Sequence, residues 1–364
     1  MTLRLMIPGP AEVSEDVLRV MGEPVRAHYG TEWTAIHNET LDLLRQVMQT
    51  SNRMFLLAGS GSLGNDAAVS SFLRDGDKVI AGSNGMFGNR LIEIMRGAGA
   101  QVIEVQAEPG TPLAPCDFSE ALAQHPDAAL VAAVHLETST GVLNPVRAIA
   151  QAARTAGVPV MVDAVSSLAG TELPVDEWGI DICTSASQKC LSAPPGLAMV
   201  AVSDRAWEWM VRPGGRGWYL NLPLWDHYAE DWADWHPFPV TMPTNLVLAL
   251  REGLRGILAE GLPNRIAKYQ RMATRLRTGL RALGMPPVMD DANSAPVLTA
   301  AWVPAGTTST EIVAFLIDKY GIQITRGFGE LRDRVVRIGH MGSEVTEELI
   351  DALLAGLRDF KSQC

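Results

Sequence analysis

Between residues 40 and 205, short and nearly unbroken apolar runs alternate with amphipathic stretches of helical character. The runs 54–57, 78–81, 101–105, 129–135, 158–162 and 197–202 predict strands, and 64–73, 88–97, 118–124 and 146–156 predict helices between them. Strands spaced by helices predict an α/β domain around a mostly parallel sheet. The rhythm breaks over 212–243, a segment rich in Pro, Trp and Gly. Long helices are expected at 244–260 and 263–283. A strand at 297–303, a helix at 309–320, strands at 322–325 and 335–338 and a helix at 346–359 then predict a smaller α+β domain. The expected division is an N-terminal arm over 1–15, a large domain over 16–250 and a small domain over 251–364.

Composition narrows the function classes. Hydrophobic residues make up 47% of the 364 and charged residues 20%, so apolar surface is available for a large core. Acids outnumber bases 41 to 30, for a formal charge of −11, and no Lys/Arg cluster offers a nucleic acid a basic face. Small molecules are the expected partners. Cys116, Cys183, Cys190 and Cys364 show no C-x-x-C spacing. No apolar run approaches the ~20 residues that span a bilayer, and the run before Pro8 is short for a signal peptide. A cytoplasmic protein without a membrane partner is expected.

Four segments carry candidate chemistry. Gly59-Ser60-Gly61-Ser62-Leu63-Gly64 lies between a predicted strand and a predicted helix, where glycines and free helix N–H groups admit an anion. The string also fits the dinucleotide pattern G-x-G-x-x-G. The next strand ends in Gly82-Ser83-Asn84, without the ribose-binding acid that such a site needs, so a single-phosphate cradle fits better. Lys189 is the only charge between Asp181 and Asp204. It is either an exposed loop lysine or an amine of lowered pKa suited to Schiff-base chemistry. Asp163 ends a predicted strand, where open α/β sheets bind ligands, although an Asp there can also cap a turn. His135 and Glu137 match the H-x-E of zinc deaminases, but no P-C-x-x-C follows and no metal is expected. There is no G-x-S-x-G elbow for a serine hydrolase. A phosphate cradle, a strand-end acid and an isolated lysine are together the parts that a pyridoxal phosphate site needs.

The segments PGPAEVSEDVL (8–18), AGSGSLGNDAA (58–68), GSNGMFGNR (82–90), HLETSTGVLNP (135–145), VDAVSSLAG (162–170), SASQKCLSAPPG (185–196), TMPTNLVLALREGL (241–254) and VVRIGHMG (335–342) resemble the class V aminotransferases of pyridoxal-phosphate fold type I. The likeness is greatest to the alanine–glyoxylate and serine–glyoxylate enzymes. It implies a homodimer that uses pyridoxal 5'-phosphate, attached to Lys189. It further implies that Asp163 pairs with the ring nitrogen and that Val165 and Phe87 cover the ring faces. Ser60, Gly61, Ser62 and Gln188 would hold the phosphate, with Thr241 supplied to the neighbouring subunit. Thr138 would lie near the ring hydroxyl, Arg337 would clamp the substrate carboxylate, and Gly9 would border the substrate. Phe87, Phe238 and Ser62 depart from residues common in the family. Pyridoxamine–pyruvate and 2-aminoethylphosphonate–pyruvate aminotransferases are also similar. The intact Ser60-Gly61-Ser62 cradle argues against the former, and Gln188 in place of Asn against the latter. A ureidoglycine–glyoxylate enzyme is disfavoured because its polar ureido contacts find no match near 29–31 or at Phe238. Arg326, close to Arg337 in sequence, would change the expected substrate if it faced inward.

Overall fold

Seven strands form the main sheet of the computed structural model, which describes residues 3–215 and 217–363. Numbered along the chain within this sheet, they are β1 (Arg53–Ala58), β2 (Lys78–Ser83), β3 (Gln101–Gln106), β4 (Leu130–Val134), β5 (Val160–Asp163), β6 (Ile182–Ala186) and β7 (Leu197–Val202). Their spatial order is β1-β7-β6-β5-β4-β2-β3. Only β7 is antiparallel to its neighbours. Helices cover both faces of such a sheet, which is why β4, Leu-Val-Ala-Ala-Val, is buried at every position. The C-terminal ends of the six parallel strands share one edge. Open α/β sheets bind ligands at that edge.

Among the elements that the pattern missed are a strand of the main sheet and two helices. The strand β6, Ile-Cys-Thr-Ser-Ala, has no counterpart among the expected strands because Thr184 and Ser185 interrupt its apolar run. Both hydroxyls are buried and find tertiary partners: Thr184 donates to Asn65 Oδ1, and Ser185 donates to the Ala164 carbonyl at 3.3 Å. A helix over Thr31–Met48 precedes the point where the alternation was expected to begin, with Trp33, Ile36, Thr40, Leu44 and Val47 buried at helical spacing. The Pro- and Trp-rich segment holds a helix at Leu222–Asp231, started by Asn221, whose side chain accepts from Leu224 N. The strand expected at 322–325 is split. Ile322–Gln323 pairs with Arg4–Leu5, whereas Thr325–Arg326 pairs with Val335–Gly339.

Two hydrophobic clusters fill the interior. One surrounds the seven-stranded sheet and extends to Ile257. The other gathers the helix Leu262–Ala282, the strands Leu298–Trp302 and Val335–Gly339 and the helices Ser309–Tyr320 and Glu347–Ser362. The N-terminal arm joins them. Arg4 and Met6 donate backbone N–H bonds to Gly321 and Gln323, Met6 accepts from Gly339 N, and Ala11 N donates to the Gln188 carbonyl. No described helix is long and apolar enough to cross a membrane. Cys364 lies outside the described residues.

At the opposite edge of the sheet, Asp181 ties three segments together. It accepts from Val160 N at 2.9 Å, from Ser203 Oγ at 2.8 Å and from Arg205 Nε at 3.0 Å, and is itself buried. Asp181→Ala should lower unfolding free energy by about 2–3 kcal/mol, because a buried N–H and a hydroxyl lose their acceptor. Arg205 is partly exposed and adds little. Turnover per folded molecule should be unchanged, so a fall in turnover at normal stability would refute this purely structural role.

Candidate active site

At the strand-end edge, a cavity of about 200 Å³ is lined by Ser60, Asp163, Val165, Gln188, Lys189 and Phe87, among others. Its floor follows from the sheet. Asp163 is the last residue of β5, and the chain turns there because Asp163 Oδ1 accepts from Val165 N at 2.9 Å. Its other oxygen accepts from Asn65 Nδ2 at 2.7 Å, and Asn65 is held in turn by Thr184 on β6. Burial pushes the Asp163 carboxyl above its usual range, against the pull of these bonds and of nearby Lys189. Such an acid is stabilised by a cationic partner. Asn65 was not singled out in the sequence, although its place in the first turn of the helix after the glycine run was the available signal.

The anion cradle forms where Gly61–Phe72 begins. Ser60 is the N-cap, in extended backbone, yet its hydroxyl makes no cap bond. The N–H groups of Gly61 and Ser62 have no intrahelical acceptor, as in any first turn. A Cβ on Gly61 would lie 2.7 Å from Val165 Cγ2, so this position needs glycine to keep the cradle open. Gln188 Oε1 is buried without a partner.

Lys189 is not an exposed loop lysine. It is half-buried, and desolvation lowers its pKa to about 8. Its Nζ donates to the Pro8 carbonyl of the N-terminal arm. Gly9 has φ +107°, and a Cβ there would lie 2.6 Å from Lys189 Nζ. Gly9 therefore borders the Lys189 amine.

Glu137 is a helix cap rather than half of a metal pair. Its Oε2 accepts from Phe87 N and Gly88 N, both at 3.0 Å, and its Oε1 accepts from Ser139 N at 3.0 Å. These bonds fix the start of the helix Met86–Gly97 and hold Phe87 at the cavity. His135 is fully buried and neutral, with its pKa near 3 through desolvation. Arg337, in the middle of Val335–Gly339, donates Nε to the Arg326 carbonyl at 2.8 Å and Nη1 to the Thr138 carbonyl at 3.0 Å. Its Nη2 has no hydrogen-bond partner among the described residues. Burial lowers its pKa to about 10, and its guanidinium stacks 4.0 Å from the Phe328 ring centre.

Arg326 turns away, donating to Thr310 Oγ1 at 3.0 Å beside Asp333. Thr138 is buried and does not line the cavity, and its carbonyl supports Arg337. Thr241 is exposed and does not line the cavity. Phe238 is buried in an aromatic cluster with His37 and His236, also away from the cavity. The structure adds Arg90, which lines the cavity with its guanidinium 4.9 Å from the Phe87 ring centre. Its position one helical turn after Phe87 was the signal for it in the sequence.

Donors at one end, an acid on the floor and a lowered-pKa amine fit a phosphorylated pyridine aldehyde. The profile of the class-V aminotransferases matches residues 12–353, and the chain belongs to that family, whose members use pyridoxal phosphate. It is therefore a pyridoxal-phosphate-dependent aminotransferase. It is 36% identical to an uncharacterized aminotransferase of Methanocaldococcus jannaschii, over 96% of this chain and 90% of that protein. The (S)-ureidoglycine–glyoxylate transaminase of Bacillus subtilis is 34% identical over 97% of this chain and 89% of its own length. Its crystal structure superimposes with a TM-score of 0.92, covering 100% of this chain and 94% of that one. An alanine–glyoxylate aminotransferase from Nostoc sp. superimposes with a TM-score of 0.94 at 32% identity, covering 99% and 95% of the two chains.

The desolvation of the Lys189 ammonium has a stability consequence. Its pKa is about 8 in the folded chain against 10.5 for an ordinary lysine, so the unfolded chain binds more protons between these values. The destabilisation is complete below pH 8 and fades as pH rises toward 10.5. In the cofactor-free protein, Lys189→Met should melt at a higher temperature than wild type at pH 7, by a margin that shrinks across this window. A margin independent of pH would contradict the burial of a charged amine.

Proposed function

We propose that this aminotransferase moves an amino group from a small neutral amino acid, alanine or serine, to glyoxylate. The carrying observation is Arg337, buried, fixed by two carbonyls and left with a free Nη2 edge, as required to receive an α-carboxylate. The outward turn of Arg326 supports the neutral donor, since no cation from that strand remains for a second acidic group. The Bacillus and Nostoc proteins, both named as glyoxylate enzymes, support the acceptor.

Bound pyridoxal phosphate supplies an electron-withdrawing ring that accepts the electron pair left when the substrate Cα–H bond breaks. The residues of the chain do the rest. Ser60, Gly61, Ser62 and Gln188 hold the phosphate, and Val165 and Phe87 enclose the ring. Thr138 would lie near the ring hydroxyl, and Asp163, oriented by Asn65, would keep the ring nitrogen protonated. Lys189 holds the cofactor until the amino donor arrives. Its freed Nζ then takes the Cα proton as general base, a role suited to an amine with a pKa of about 8. Arg337 orients the carboxylate, and Gly9 leaves room beside the amine.

Arg90 favours a second reading, in which an acidic donor such as a dicarboxylate or 2-aminoethylphosphonate places its side-chain anion at the cavity rim and pyruvate is the acceptor. Pyridoxamine–pyruvate exchange is the weaker alternative, since the phosphate cradle is complete. A donor panel separates them. Alanine or serine with glyoxylate should turn over at least ~10-fold faster than aspartate, glutamate or 2-aminoethylphosphonate, a difference of about 1.4 kcal/mol in the barrier. The opposite order would transfer the assignment to Arg90 and an acidic donor. Lys189→Ala should abolish turnover in either case.

The same reading makes the working unit a homodimer, with Thr241 of each chain completing its neighbour's phosphate site. Thr241 is exposed, and the segment before it carries the exposed Trp235 against the exposed Tyr29, with ring centres 6.2 Å apart. A reducing compartment such as the cytoplasm suits the free thiols Cys116, Cys183 and Cys190. Light scattering should give a dimer, with an interface of ~2,000 Å² or more. An active monomer at assay concentration would refute it.

A further inference from the structure

Three residues other than glycine among those described have left-handed backbone: Gln49, Ala169 and Ser192. Gln49 ends a helix, where that conformation is common. The other two lie beside the active site. Ala169, with φ 62°, follows the turn that begins at Asp163, and Ser192, with φ 54°, closes the turn carrying Lys189 through its N–H bond to the Lys189 carbonyl at 3.0 Å. A left-handed conformation costs a residue with a Cβ on the order of 1–2 kcal/mol and persists only where the surroundings enforce it.

One side chain bonds both places. Arg265, near the start of the helix Leu262–Ala282, is 1% exposed. It donates Nε to the Ala169 carbonyl at 3.2 Å, and Nη2 to the Cys190 carbonyl at 2.8 Å and to Ser192 Oγ at 3.0 Å. Its Nη1 pairs with Glu260 at 2.7 Å, which balances its charge. The two loops also touch directly: a Cβ on Gly170 would lie 2.5 Å from Cys190 Sγ. Arg265 itself does not line the cavity.

We propose that Arg265 is a positioning residue for transamination, clamping the loop after Asp163 to the loop of Lys189 and so fixing the amine relative to the acid. The planar guanidinium is needed because the acceptors lie on two separate loops and all its edges are used. A lysine there could keep the charge beside Glu260 but not the fork. Since misplacing a reacting group by an ångström can slow a reaction ~100-fold, the effect falls on turnover rather than on substrate binding. The inference rests on the reading of Lys189 as the cofactor lysine.

The test uses the holoenzyme and three readouts: thermal melting, the pH midpoint of the visible band of Lys189-bound cofactor, and kcat against KM. In Arg265→Gln the band midpoint should move by at least ~0.5 pH unit and kcat should fall ~10-fold or more with KM within ~2-fold. Adding Ser192→Gly should recover at least ~3-fold of the lost kcat, because glycine adopts positive φ without support. A folded Arg265→Gln enzyme with unchanged midpoint and kcat would overturn the clamp, whatever its melting temperature. Should that variant not fold, Arg265→Lys gives the same decision, since wild-type midpoint and kcat there would also overturn it. A visible band that survives Lys189→Ala would instead remove the lysine assignment on which the clamp rests.

Discussion

Keeping an amine away from water while leaving it free to react is the constraint around which this molecule is arranged. Lys189 is half-buried and draws its acceptor from a backbone carbonyl of the N-terminal arm rather than from a carboxylate. A carboxylate partner would have held the amine protonated. The carbonyl solvates the proton without adding a full negative charge, and the pKa settles near 8. Asp163, the acid in the same cavity, is kept for another cation and is bonded meanwhile by Asn65 and Val165 N. The two charged groups share a cavity with their functions separated by what each is bonded to.

Much of the architecture could be read along the chain because the parallel strands are buried on both faces and announce themselves as apolar runs. The strand at Ile182–Ala186 could not, since the partners of Thr184 and Ser185 come from a helix and a loop distant in sequence. Local pattern records the polarity of a residue but not whether a partner will arrive to satisfy it. The same limit applied to the site. The glycine run, Asp163 and Lys189 stood out through residue type and isolation, and the remaining assignments came from resemblance to a family. Asn65, Arg90 and Arg265 did not stand out, because an Asn or Arg within a helix looks like a solvated surface residue until the fold shows what it faces.

Glu137 shows how spacing can mark a segment without revealing what its side chain is bonded to. The sequence marked the segment after a strand as a site of interest, and it does border the cavity. The carboxylate, though, is consumed by the N–H groups that open Met86–Gly97. It joins the helix bearing Phe87 to the turn whose carbonyl supports Arg337, so the two side chains proposed to cover the ring and to clamp the carboxylate share one anchor. Helix starts attract anions, and here the protein supplies its own at one helix while leaving the start of Gly61–Phe72 open.

The N-terminal arm is fastened at two places. Arg4–Leu5 is paired with Ile322–Gln323 beside the second hydrophobic cluster, and the carbonyl of Pro8 and the N–H of Ala11 are attached to the Lys189 loop. Between these anchors the chain works as a tether of fixed length. Each added or removed residue changes its reach by roughly 3.5 Å, more than a hydrogen bond can stretch. Its residue count is therefore fixed, and a length change between Leu5 and Pro8 disturbs the Lys189 amine as directly as a substitution in the site itself.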